Sequence, residues 1–211
     1  MADWVTISAL ATAGGTLVLA GSTFASVRSA NRAARVAEQS LLAAMRPLLL
    51  PTHVSDPPEK IGFVDGKWVR APGGGGIAEV GDAAIYLAIP LRNVGTGIAV
   101  LHGWHFLPGF PLGDDNRPPP LEAFQRLTRD LYVPAGDTGF WQGAFRNPDA
   151  DEFREAARAI EANEDLTVDV LYGDHEGGQR VISRIVLRPR EDGTRIASAA
   201  RHWNVDRPDP R

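Results

Sequence analysis

The sequence predicts a mainly β protein, a β-sandwich with one or two short helices inserted, preceded by an N-terminal transmembrane helix and a helical stalk. Three observations predict it. Residues 4–27 carry no charge. From residue 48 onward apolar residues recur with period two, the mark of strands with one buried face. Clusters of Gly, Pro, Asn and Asp interrupt those runs at short intervals, as in sandwiches built of many short strands. The expected organisation is a transmembrane helix over 4–27, a juxtamembrane helical stalk over 28–46 and a β-sandwich domain over 48–211.

The uncharged stretch is 24 residues long, and a helix needs about 20 to cross the hydrocarbon core. Trp4, Val5, Ile7, Leu10, Leu17, Val18, Leu19, Phe24 and Val27 supply its apolarity, diluted by Ala, Gly, Ser and Thr. Two other readings stand beside a membrane span. A cleaved secretory signal would want a positive segment ahead of the apolar run, where only Asp3 stands. A buried helix of a soluble protein would be long at this length. Arg28, Arg32 and Arg35 follow the stretch directly as a topogenic basic flank. The positive-inside rule then expects a single-pass protein of the cell membrane, with its N-terminus outside and its C-terminal domain in the cytoplasm.

Residues 27–45 contain no Gly or Pro, and Arg46-Pro47 ends the helical pattern. Val27, Ala30, Ala34, Ala37, Leu41 and Ala44 follow heptad spacing, with the three arginines on the other side. That seam, continued by Ala20 and Thr23 and joined by the small-residue row Ser8, Thr12, Thr16 and Ala20, suggests a homo-oligomer. The plainer reading is that Ala favours helix and that the seam packs on the protein's own domain.

In the domain, Asp65-Gly66 between Ile61-Gly62-Phe63-Val64 and Lys67-Trp68-Val69 predicts a type I′ hairpin. Gly73 to Gly76 reads as a flexible loop, since no Lys-Ser/Thr follows to make a phosphate cradle. Ile85, Leu87, Ile89 and Leu91 predict a strand, and Pro90 within it predicts an edge or a bulge. After a turn over 93–97, residues 98–107 form the returning strand. Leu166, Val168, Val170 and Tyr172 line another strand, and Val181, Ser183, Ile185 and Leu187 its partner beyond a turn at 173–178. Asn147-Pro148 with Asp149 and Asp151 predicts a helix start, with Phe153, Ala156, Ala157 and Ile160 on its buried side. Leu121, Phe124 and Leu127 suggest a second short helix.

The stretches Leu91-Arg92-Asn93-Val94-Gly95-Thr96-Gly97-Ile98-Ala99 and Val133-Pro134-Ala135-Gly136-Asp137, followed by a late strand pair, resemble bacterial immunoglobulin-like sandwich modules, in which such a strand corner precedes such a loop. The layout as a whole is similar to uncharacterised actinobacterial single-span membrane proteins. The resemblance implies an immunoglobulin-like β-sandwich and an anchor, and no reaction, because such sandwiches host many functions.

The chain has no cysteine, which excludes disulfides, thiolate nucleophiles and cysteine metal sites. Its net charge of −4 argues against a nucleic-acid partner. His102 and His105 have an odd spacing that puts them on opposite faces of a strand, so they do not share a metal, and His102 is expected to be packed. Asp174, His175 and Glu176 form the densest polar constellation, a possible ligand or catalytic loop that is also ordinary turn chemistry. Arg180, Arg184 and Arg188 make a possible basic stripe toward an acidic partner or lipid, or a solvated face balanced by acids such as Asp169 on the next strand. Of Trp68, Trp104, Trp141 and Trp203, most are expected in the core, and an exposed one would mark a binding face. No nucleophile elbow, nucleotide loop or flavin fingerprint occurs, and no catalytic residue, cofactor or metal is expected. The first functional expectation is a membrane-anchored interaction or scaffolding protein with an unknown protein partner and membrane lipid around its helix. The alternatives are a small-ligand sensor or enzyme using the loop at Asp174, and an exported sandwich released after signal cleavage.

Overall fold

A computed structural model describes residues 3–113 and 116–206, which form two compact units, one of residues 1–44 and one of residues 45–211. The first is a single helix, α1 (Trp4–Ala44). It is continuous through the predicted span and stalk because nothing between Trp4 and Ala44 breaks it: Gly14, Gly15 and Gly21 weaken a helix without ending it, and there is no proline. Its described apolar side chains from Trp4 to Leu41 are exposed, with Trp4 at 82 %, Leu17 at 75 % and Phe24 at 70 %. The side chain of Val5 lies outside the described residues. The hydroxyls of Thr12 and Thr16 donate back to the carbonyls of Ser8 (2.9 Å) and Thr12 (2.8 Å). These polar groups are therefore satisfied inside the helix, as a lipid environment demands.

The second unit is a β-sandwich. Its strands are β1 (Leu49–Pro51), β2 (Glu59–Gly62), β3 (Trp68–Ala71), β4 (Gly75–Val80), β5 (Ile85–Asn93), β6 (Ala99–Pro108), β7 (Gln125–Val133), β8 (Thr138–Phe145), β9 (Leu166–Gly173), β10 (Val181–Pro189) and β11 (Arg195–Asn204). One leaf is built on β5, which pairs with β8 along one side and with β4 and then β1 along the other. The other leaf runs β11-β10-β9-β6-β7. All these pairs are antiparallel, and the two leaves join where Gly75 and Gly76 meet Ile196 and Arg195. Between them lies the main core, with Ile85, Leu87, Ile89 and Leu91 from one leaf facing Leu166, Val168, Val170, Ile185 and Leu187 from the other. Burying each such side chain stabilises the fold by about 1.5–3 kcal/mol. Trp104 and Trp141 meet edge to face at 5.5 Å within it, so those two tryptophans are core, as expected. The helix α2 (Asp151–Glu161) adds Phe153, Ala156 and Ala159 to the same core.

Both outer faces are covered as well. The β2–β3 hairpin lays Ile61, Phe63, Val69 and Ala71 over the β5 leaf. Residues 116–124 cross the other leaf, where Leu121 and Phe124 pack on Leu171, Ile182 and Trp203. The lateral opening between β7 and β8 is bridged by Arg129, which donates to Gln142 Oε1 at 3.1 Å and to the Gly62 carbonyl at 3.2 Å.

Several expectations change. The Asp65-Gly66 turn has only Gly66 at positive φ (85°), whereas a type I′ turn needs two such residues. The Gly66 N–H bonds back to the Phe63 carbonyl at 3.0 Å while Phe63 pairs with Lys67, so the loop is one residue longer than expected. Gly73 to Gly76 is not a flexible loop: Gly75 and Gly76 begin β4, and a Cβ on Gly73 would overlap the carbonyl oxygens of His53 and Asp56. Pro90 lies inside β5 rather than on an edge. Its missing N–H falls on the side where β4 has ended and β1 has just begun, and its carbonyl accepts from Thr52 at 3.2 Å. Pro148 belongs to a turn held by Asn147, so α2 starts at Asp151, later than predicted. The expected helix around Leu127 is a single 3₁₀ turn (Leu121–Ala123) followed by β7.

Candidate functional site

Asp174, His175 and Glu176 sit at the tip of the β9–β10 hairpin. Asp174 is buried and is used up by the turn: its Oδ1 accepts the Gly178 N–H at 2.9 Å and its Oδ2 the Gln179 side-chain amide at 3.2 Å. His175 and Glu176 point outward, 3.3 Å from each other and both largely exposed. The three residues therefore do not converge on one ligand.

The three arginines part company in the same way. Arg180 precedes β10 and clasps Asp206 with three guanidinium bonds, the shortest 2.7 Å, plus its backbone N–H at 2.7 Å. Those bonds hold the Asp206 carboxyl below the usual carboxylate range. Arg188 is exposed and 3.6 Å from Asp165. Arg184 is only 1 % exposed although it projects from the outer face of its leaf, because residues 116–124 lie over it. Its Nε and Nη2 reach Asp169 at 2.7 and 2.8 Å, Nη1 reaches Asn116 Oδ1 at 2.9 Å, and its plane lies 4.9 Å from the Trp203 ring. Asp169 balances it from the neighbouring strand, as the sequence suggested, but in a buried pair rather than on a solvated face.

The histidines are separated by a bulge in β6 between Leu101 and Gly103. The extra residue is His102, so the inward positions become Leu101 and Trp104, and His102 is exposed rather than packed. Desolvation, then the nearby Arg180 charge, lowers its pKa. His105 turns to the outer face, with Nδ1 3.6 Å from Asp169. Among the described residues no three His, Asp or Glu side chains gather as metal ligands.

Two features were not visible in the sequence. Tyr172 Oη accepts the Leu49 N–H at 3.1 Å and lies 2.8 Å from Ser183 Oγ, which lies 2.6 Å from His202 Nδ1. Ser183 is fully buried, so this chain ties β1, β9, β10 and β11 together and presents no nucleophile to solvent. Burial pushes the Tyr172 phenol up. The second feature is a groove of about 390 Å³ at the junction of the two leaves, with Pro58, Pro72, Ile77 and Ala78 as apolar walls and Arg70 and Arg195 as cations. Arg70 has no carboxylate within ion-pair distance among the described residues, and Glu79 at the rim is neutralised by Lys67 at 2.7 Å. Arg195 spends its donors on the carbonyls of Glu164 (2.6 Å) and Ile160 (3.4 Å) at the end of α2. No motif announces this groove, because its walls come from four separate segments. Of Trp68, Trp104, Trp141 and Trp203, Trp68 is the exposed one, at 59 %, lying against Gly62 with the Lys60 ammonium 4.6 Å from its ring.

Compared with protein-family models, curated proteins and solved structures, the chain matches none.

Proposed function

We propose that this protein is a membrane-anchored interaction or scaffolding protein, single-pass in the cell membrane, with a cytoplasm-facing β-sandwich. The observation that carries the reading is the state of α1. Its described apolar side chains between Trp4 and Val27 are exposed, and an exposed apolar stretch of this length fits a lipid surround. Arg28, Arg32 and Arg35 directly after this stretch support the cytoplasmic orientation. The immunoglobulin-like relationship is supported by the two motifs that suggested it, since Asn93 of the first is hydrogen-bonded to Val133 and Asp137 of the second. The binding role is supported by the open groove beside Arg70, whereas the hairpin tip at Asp174 holds no convergent set of groups.

The absence of cysteine allows a direct test. Ala199 is exposed on β11, and an Ala199→Cys variant supplies the chain's single thiol. In cells, the expected result is labelling by a membrane-impermeant maleimide only after lysis, with the protein in the membrane pellet. Labelling in intact cells would overturn the orientation. A soluble product shortened at its N-terminus would identify the segment as a cleaved signal.

A further inference from the structure

The groove at the junction of the leaves contains a strand edge with no partner. Hydrogen bonds in the β4–β5 pair follow from the turn between them, where the Gly81 N–H donates to the Ala84 carbonyl at 2.9 Å. Counting back with period two, Glu79 and Ile77 direct their backbone groups at β5, and Val80, Ala78 and Gly76 direct theirs the other way. The other side agrees: the Ala197 N–H donates to the Gly74 carbonyl at 2.9 Å, and Gly76 pairs with Arg195. There the pairing stops, because the chain turns away at Gly193 (φ 77°). The backbone N–H and C=O of Ala78 and Val80 have no hydrogen-bond partner among the described residues. Ala78 lines the groove and Val80 is 37 % exposed.

We infer that this edge of β4 docks an extended acidic segment of a partner protein, added to the sheet as one more strand. The two free donor–acceptor sets are two residues apart, about 6.6 Å along a strand, which is the repeat an extended backbone offers. The apolar walls at Pro58, Pro72 and Ile77 receive alternate side chains, and Arg70, with no carboxylate of its own, takes an acidic one. The charge is complementary because the other rim charge, Glu79, is already held by Lys67. This deepens the interaction reading above and rests on it, but not on the orientation of the membrane helix.

The test uses the full chain in nanodiscs of zwitterionic lipid. A fluorescein-labelled heptapeptide of alternating valine and glutamate is titrated, with its valine–lysine counterpart as control, and binding is read by anisotropy and by amide hydrogen exchange. The acidic peptide is expected to bind about tenfold or more tightly than the basic one and to protect the amides of residues 77–80. Val80→Pro removes an N–H on which the fold does not depend and should abolish that binding, with tryptophan fluorescence unchanged. Arg70→Glu should reverse the preference toward the lysine peptide. No saturable binding up to millimolar peptide, or binding indifferent to both variants, overturns the proposal. Either result is independent of the Ala199→Cys labelling, so a wrong topology and a wrong docking edge are told apart.

Discussion

The side-chain amide of Asn93 donates to the carbonyl of Val133 at 3.0 Å, joining two turns forty residues apart in the chain. The same amide donates to the Gly97 carbonyl at 2.6 Å, and its oxygen accepts the N–H groups of Leu48 at 3.1 Å and Gly95 at 3.0 Å. Asn93 is fully buried, and its side chain bonds four backbone groups.

Asn93→Ala is therefore expected to destabilise the domain by about 3 kcal/mol, since several buried polar groups lose their bonds at once. Urea unfolding followed by the fluorescence of Trp104 and Trp141 measures it. Asn93→Asp keeps the acceptor but loses the donors to Gly97 and Val133, and should be destabilising as well.

Arg184→Met leaves Asp169 as an uncompensated charge with no exposure at all, and should cost about 3–5 kcal/mol. Replacing both partners, Asp169→Leu with Arg184→Met, should recover most of that loss in the same unfolding assay. A double variant no better than the single one would show that Arg184 acts chiefly through Asn116 and Trp203.

At the β9–β10 tip, His175→Ala and Glu176→Ala should each change stability by less than about 0.5 kcal/mol. Asp174→Ala should cost about 1–3 kcal/mol, because the Gly178 N–H and the Gln179 amide lose their acceptor. Thermal unfolding of the three variants side by side gives the ranking.

The Arg180–Asp206 clasp sets an acid limb of stability. Hydrogen bonds from Arg180 lower the Asp206 pKa in the folded state. The unfolded chain therefore takes up a proton first as pH falls, and the stabilisation, complete above the ordinary aspartate value of about 3.9, is lost as pH drops through the lower folded value. In Asp206→Asn this part of the slope should vanish from a stability–pH curve while the curve above pH 5 stays parallel to that of the native chain.

Along Ile85 to Leu91 and Leu166 to Leu187 the alternation of apolar residues was legible because each strand buries one face against the core. The strands β7 and β8 were not: β7 is a mostly exposed, charged strand, and β8 alternates Gly with aromatic residues, so neither shows the pattern. The β6 bulge likewise moved His102 out of the face that its spacing assigned to it.

Local periodicity and local charge alone were enough for the uncharged first part of the long helix, the basic residues that follow it, the main strand pairs and the amphipathic helix α2. The tertiary structure alone decided that Arg184 is buried while Arg180 and Arg188 are not, that Pro90 can sit inside the sheet, and that β4 keeps a free edge beside Arg70. Those outcomes depend on which segments lie next to one another across the sandwich. Burial and strand pairing are set by neighbours distant in the chain, and no periodicity within a single segment records them.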